Sequence, residues 1–325
     1  MNNKTNLYPL KFYPILKEKV WGGSKLESLL HKVKGENIGE SWELSGIEEN
    51  ISVVSNGALQ GKQLSKLIEF YKGDLLGEKV FQHFGNKFPL LFKFIDAQQD
   101  LSVQLHPDDT LAQKRHNSFG KTEMWYILQA EKNSRLILGF NQEMDKPTYL
   151  KYLSENKITD ILHSEKVSEG DAFFIAPGTV HAIGGGVMLA EIQQTSDITY
   201  RIYDWDRPGT DGKLRELHTD LAIEAINFTH NNTELSYTDK INEIVQLCCV
   251  PYFEANKLHL TKSLKRNLSK IDSFVVYMCV EGNAVFEYEG LSEKINKGET
   301  LLLPACLTSF TIKTNKATFL EVYIP

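Results

Sequence analysis

The hydrophobic positions of this chain come mostly in short runs broken by Gly, Pro, Asn and Asp, a pattern of strands and turns. Residues 7–60 read this way through VWGGSKL, GESWELSG and ISVVSNGAL. Over residues 62–84 the period changes. Leu64, Leu67, Ile68 and Tyr71 lie three and four apart, which predicts one or two short helices. FPLLFKFIDA (88–97) is short and strongly apolar and predicts a buried strand. In LSVQLHP (101–107), Leu101, Val103 and Leu105 should point one way and Ser102, Gln104 and His106 the other. Further strands are predicted at EMWYILQA, RLILGF, DAFFIAPGTVHAI, VMLAEIQQ and TYRIYDWD. Helical patches fall at PTYLKYLSEN and at LRELHTDLAIEAINF (214–228), and beyond about residue 240 the pattern is nearly all strand. Many short strands with Gly turns predict a mainly β sandwich or barrel with a small helical portion.

The pattern also repeats. SEGDAFFIAPGTVH (168–181) resembles NKGETLLLPACLTS (296–309), and upstream MWYILQAE (124–131) resembles VVYMCVEG (275–282). Two related β-barrels in tandem account for both echoes. The expected division is 1–240, carrying the helical insertions and any chemistry, and 241–325 as a degenerate copy. Ser309 stands where the first copy has His181, so the second barrel is expected to lack a metal site.

Composition narrows the function classes. The 325 residues are 42% hydrophobic, enough for a substantial core, and the formal net charge is −6. A mildly acidic chain is a poor partner for nucleic acid, whose binding draws on basic surface. A few local cations still suffice to hold an anionic small molecule. No run approaches the ~18 apolar residues of a membrane helix, and MNNKTNLYPLKFYPIL lacks the apolar core of a signal peptide. None of the four cysteines forms a CxxC pair, and they read as buried small hydrophobes. A cytoplasmic protein is expected.

The candidate chemistry lies in the first copy. Gln104 and His106 share a strand face, Glu123 opens the strand of GKTEMWY, and His181 follows the turn PGTV. One carboxylate, two imidazoles and an amide oxygen suit a single catalytic divalent ion with a position left for water. Taken singly, the same residues also read as a strand-end histidine, a turn cap and a surface partner of Lys121. His31, His83, His116, His163, His218, His230 and His259 have no such company and read as surface or packing residues. The glycines 184–186, with no following Lys-Ser/Thr and helix, read as a flexible hairpin rather than a phosphate loop.

Several of these segments carry a family resemblance. GDAFFIAPGTVH is similar to the second cupin motif, a Gly-led strand ending in a Pro/Gly turn and a ligand histidine. Together with it, LLFKFIDAQQDLSVQLHPDD, GKTEMWYIL, APGTVHAIGGG and EIQQTSDITYRIYDWDR resemble class I mannose-6-phosphate isomerase in its short bacterial form. The likeness runs from VWGG near residue 20 to WDRP near 208 and weakens beyond. It implies two cupin barrels and one zinc ion per chain, held by Gln104, His106, Glu123 and His181. It implies a catalytic Arg201 and substrate-facing Lys93 and Lys121. Ser102, two residues before Gln104 on the same face, is placed to touch the phosphate of a sugar-phosphate substrate.

The implied reaction moves a proton between C1 and C2 of a hexose phosphate through an enediol. It needs a base, for which water activated by the metal, a lysine of lowered pKa and a free carboxylate such as Glu191 are the candidates. Two rival readings are another cupin enzyme and a sugar-phosphate-binding cupin without catalysis.

Overall fold

Which side of each strand faces which layer follows from alternation, and alternation places the polar residues of interest. The computed structural model describes residues 6–32, 35, 37–229 and 232–325. Met1–Thr5 of the N-terminal reading, and His230, lie outside the described residues.

The chain opens with β1 (Ile15–Gly23), helix α1 (Lys25–Leu30), β2 (Ile38–Leu44) and three short helices, α2 (Leu64–Tyr71), α3 (Gly73–Leu76) and α4 (Glu78–Phe84). Then come β3 (Leu90–Ala97), β4 (Val103–Leu105), α5 (Asp109–His116), β5 (Glu123–Ala130), β6 (Arg135–Phe140) and α6 (Lys146–Ser154). The first half of the fold closes with β7 (Leu162–Lys166), β8 (Ala172–Ile175), β9 (His181–Ile183), β10 (Val187–Gln194), β11 (Tyr200–Tyr203) and α7 (Thr219–Ala225). The remainder is strand: β12 (Ile244–Val250), β13 (Phe253–Leu260), β14 (Leu264–Asn267), β15 (Val275–Tyr288), β16 (Leu291–Asn296), β17 (Thr300–Leu303) and β18 (Ser309–Tyr323).

The first eleven strands form two sheets, ordered β1-β2-β3-β10-β5-β8 and β11-β4-β9-β6-β7. They are a cupin-like sandwich, not a closed barrel. Ile95, Trp125, Ile127 and Leu189 of the larger sheet pack against Leu136, Leu138 and Ile183 of the smaller. The opposite face of the smaller sheet, with Val103, Leu105, Ala182, Tyr200 and Ile202, is covered by Tyr149 of α6 and Ala222 of α7. The opposite face of the larger sheet, with Phe92, Phe94, Met124, Tyr126 and Ile192, is covered by α2, α3 and the third sheet. Both faces of β3 and β10 are therefore buried, which is why they read as continuous apolar runs.

The third sheet follows β12-β13-β18-β15-β16, with β14 on β18 and β17 on β15. The sequence echo is also structural, since β8 pairs antiparallel with β5 as β17 does with β15. Tyr277, Phe286, Phe310 and Phe319 pack together inside this copy. Ser309 is exposed and pairs with Asn267, where His181 pairs with Gln104.

One hydrophobic cluster crosses residue 240. Leu44, Phe92 and Met124 share it with Phe253, Phe274, Val276 and Leu320. The Phe274 ring is fully buried, with its centroid 4.7 Å from that of Phe88. Phe274→Ala is expected to cost ~3–5 kcal/mol in urea unfolding. Because the core is shared, the loss should appear in one transition reporting on both halves. Two separate transitions, with only the later strands weakened, would contradict a shared core.

Some expectations need correction. Residues 7–60 are not all strand and turn, since α1 interrupts them, and α5 was not expected. Of 214–228 only Thr219–Ala225 is helical. Cys248 is buried but its neighbour Cys249 is exposed, as alternation on a strand requires, and Cys306 is also exposed. The glycines 184–186 link strands of different sheets rather than forming a hairpin. Their N–H groups bond to Arg135 O, Asp100 Oδ1 and Ala97 O, so the segment is anchored.

Candidate active site

The inner faces of the two sheets meet around one polar cluster. Alternation turns Lys93, Glu123, Trp125 and Glu191 of the larger sheet inward, because Phe92, Phe94, Met124, Tyr126, Ala190 and Ile192 occupy the outer face. The smaller sheet contributes Gln104, His181 and Arg201. Gln104 lies opposite His181 on one side and Arg201 on the other.

His106, Glu123 and His181 converge, with one ligand atom from each lying within 4.8 Å of the others. His106 Nε2 is 3.4 Å from Glu123 Oε1, and His181 Nε2 is 3.9 Å from Oε2. Each imidazole donates its Nδ1–H to a backbone carbonyl, His106 to Ile198 at 2.7 Å and His181 to Thr179 at 2.9 Å. That fixes the tautomer and leaves both Nε2 lone pairs pointing at the carboxylate. Both Nε2 atoms and Glu123 Oε2 are buried without a hydrogen-bond partner, and the Lys121 ammonium lies 3.1 Å from Glu123 Oε1. Stranding so many polar atoms at one point is costly unless something else binds them. Burial pushes His181 down to about 4 and His106 well below its ordinary value, so both imidazoles are neutral donors. The chemistry of the set, two imidazoles and a carboxylate without thiolate, fits a catalytic divalent metal. His106 does follow the end of β4 and Glu123 does pair with Lys121, but that pair is buried rather than on the surface.

Ser102 and Gln104 sit at the edge of the cluster, where the Ser102 hydroxyl donates to Gln104 Oε1 at 3.1 Å. Arg201 donates from Nε to Ser102 Oγ at 3.3 Å and from Nη1 to the Glu216 carbonyl at 2.9 Å. It does not pair with Asp204, whose carboxylate is taken by Arg215 and Arg207. Lys121 is buried, with Nζ 3.1 Å from Glu123 Oε1.

Lys93 departs from expectation in one respect. It is buried, but its Nζ is paired with Glu191 at 2.7 Å. Burial pulls its pKa down, yet Glu191 and Glu40 outweigh that and raise it. Lys93 is therefore not a lysine of lowered pKa. Glu191 is not a free carboxylate either, because it accepts from Lys93 and, at 3.0 Å, from Trp125 Nε1. Burial opposes its ionisation, but Lys93 and Lys121 hold it below the ordinary carboxylate value.

These groups line a cavity of about 130 Å³ that also takes in Lys19, Glu40, Trp42 and Arg215, none of them expected from sequence. Glu40 accepts from Trp42 Nε1 and pairs with Lys19 at 3.1 Å. Against the upward push of burial, Lys93 and Lys19 hold it at about 2. His218 also joins the site's surroundings, its Nδ1 accepting the Arg201 N–H at 3.2 Å. A larger cleft of about 880 Å³ opens between α4, α5 and the C-terminal strands. Among the described residues, the one metal-competent cluster borders the smaller cavity, which its His181 lines.

Fold and site together define a cupin protein with a buried His/Glu/His centre facing a cationic cavity. Residues 10–136 match the family model for the catalytic domain of type I phosphomannose isomerase, and residues 243–324 match the mannose-6-phosphate isomerase cupin domain. The chain is 36% identical over 309 residues to the mannose-6-phosphate isomerase ManA of Bacillus subtilis, covering 94% of this chain and 96% of that protein. It is 31% identical over 305 residues to the mannose-6-phosphate isomerase of Streptococcus mutans, covering 93% and 94%. The crystal structure of a B. subtilis mannose 6-phosphate isomerase superposes with a TM-score of 0.89 at 30% identity, covering 97% of this chain and 99% of that one. A mutant of the phosphomannose isomerase from Salmonella typhimurium shares the fold, with a TM-score of 0.77 at 17% identity. The chain belongs to the type I phosphomannose isomerase family.

Proposed function

We propose that the chain interconverts D-mannose 6-phosphate and D-fructose 6-phosphate with one zinc ion held by His106, Glu123 and His181, and with Gln104 or water completing the shell. The observation that carries the metal is the convergence of four buried ligand atoms, three of them without a hydrogen-bond partner. Family membership carries the reaction. Bound there, a divalent metal supplies Lewis acidity, lowering the cost of negative charge on the O1 and O2 oxygens as the proton moves between C1 and C2.

The chain's own residues do the rest. Arg201 stays protonated at any relevant pH, and no carboxylate among the described residues hydrogen-bonds or ion-pairs with it. Its charge is free for the phosphate or a developing oxyanion. Ser102, bridging Arg201 and Gln104, offers a further polar contact at the phosphate end. Lys121 stands beside Glu123, where it adds positive charge next to the reacting carbons. Lys93, neutralised by Glu191, orients that wall of the cavity instead of binding phosphate by net charge. Remote phosphate binding positions the sugar for the proton transfer.

We further propose that 1–240 is the catalytic unit and 241–325 a degenerate cupin without a metal. Exposed Ser309 and the aromatic packing inside the later strands support this. A cytoplasmic location is supported by four unbridged cysteines and by the absence, among the described residues, of any helix long and apolar enough to cross a membrane. The test is turnover of mannose 6-phosphate by the purified protein. Fructose 6-phosphate formed at a catalytic rate is the expected result. Tight binding of the sugar phosphate without turnover, in protein carrying one zinc per chain, would favour a binding protein instead.

A further inference from the structure

Glu123 opens β5, but the residues just before it, Gly120 to Thr122, belong to no helix or strand. A metal ligand at the end of an irregular segment needs that segment fixed from elsewhere. We propose that Asp109 is a positioning residue for the metal site, clamping the 120–123 segment and tying it to the C-terminal strands through Tyr252. This rests on the reading of Glu123 as a ligand.

Asp109 is the first residue of α5. Its Oδ1 accepts from Gly120 N–H at 2.8 Å and from Gln194 Nε2 at 3.0 Å, and its Oδ2 accepts from the Tyr252 hydroxyl at 2.8 Å. Gln194, the last residue of β10, holds Thr122 at both backbone groups. Its Oε1 accepts from Thr122 N–H at 2.9 Å, and its own N–H donates to Thr122 O at 3.1 Å. Lys121 N–H donates to Pro107 O at 3.2 Å, next to His106. Each of the three residues before Glu123 is thus bonded to a fixed point, and two of the three points meet at Asp109. The approach is close, since a Cβ on Gly120 would lie 2.6 Å from Asp109 N.

Tyr252 lies in the turn between β12 and β13, more than a hundred residues along the chain from Asp109. Burial, and then Asp109 itself, push its hydroxyl up to about 12, so it donates at neutral pH. Among the described residues the later strands hold no metal-competent cluster, and through this hydroxyl they reach the segment that leads into Glu123. Groups bonded directly to a metal ligand set its orientation and are typically worth ~10–100-fold in metal affinity or activity. Asp109 acts one step further back, on the backbone leading into Glu123, so the lower end of that range is expected.

The test uses full-length Asp109→Ala, Asp109→Asn and Tyr252→Phe. Zinc affinity is read by competition with a chromophoric chelator, and site geometry by the visible absorption of the cobalt-loaded protein, alongside kcat and KM. Asp109→Ala should bind zinc ~10-fold more weakly, shift the cobalt spectrum and lower kcat. Asp109→Asn, which keeps one acceptor oxygen, should recover part of the loss, and Tyr252→Phe should fall between wild type and Asp109→Ala. A variant that only melts earlier, with zinc affinity, cobalt spectrum and kcat unchanged, would reduce Asp109 to a structural residue and overturn the inference. If Asp109→Ala does not fold, Tyr252→Phe decides by the same criteria. Wild-type protein that binds neither metal would sink the metal reading and the inference with it. Wild type that binds both, beside indifferent variants, would sink the inference alone.

Discussion

Replacing His181 by Ala should leave a folded protein that no longer retains zinc and turns over mannose 6-phosphate at least ~10³-fold more slowly. The size follows from the several kcal/mol of charge stabilisation that a divalent metal supplies, at a factor of ten per 1.36 kcal/mol. His181 is one of three convergent donors, and its loss leaves only His106 and Glu123 of the buried set. The fold should survive because His181 begins a short strand whose neighbours Ala182 and Ile183 keep their places in two clusters, the substitution giving up from these only the edge contact of the ring with Trp125. Zinc content by mass spectrometry, far-UV circular dichroism and the isomerase assay together check this. A variant that keeps both zinc and full activity would remove His181 from the ligand set.

Arg201→Ala should do the reverse, keeping zinc while losing about 10²-fold or more in turnover, as expected when one preorganised charge at the transition state is removed. Its side chain bonds only to a hydroxyl and a carbonyl, so no buried carboxylate is left stranded by the change. The protein should therefore remain stable, and the loss should be one of catalysis. Full activity in the alanine variant would make Arg201 a structural residue joining β11 to Ser102 and Glu216.

Much of this site was legible from the chain because its residues lie at strand ends with alternating neighbours. LSVQLHP shows its two faces over β4, where Val103 and Leu105 turn away from the cavity that Gln104 faces, but Leu101, expected beside Val103, lies before the strand and lines the cavity with Ser102. The repeat was legible because both copies pair the same two strands. Glu40 and Lys19 were not legible. In β2 the alternation of GESWELSG sets Glu40 with Trp42 and Leu44, opposite the polar stripe of Ser41, Glu43 and Ser45, and the pairing of β2 with β3 and with β1 brings Glu40 and Lys19 to the cavity. Glu191 looked free in sequence because nothing local announces Lys93, 98 residues away on the neighbouring strand. Helix α5 was missed because it buries only Ala112 and so carries no apolar periodicity. Its local signals are at its ends, Asp108 accepting from Leu111 N–H at 2.8 Å at the start and Lys114, Arg115 and His116 before a left-handed Asn117 at the finish.

The measurement that bears most directly on the central claim is isomerase activity before chelation, after chelation and after zinc is added back to the same purified protein. Activity lost on chelation and restored by one equivalent of zinc per chain is the predicted result. Activity that survives complete removal of metal would contradict the assignment of His106, Glu123 and His181 as a catalytic metal centre.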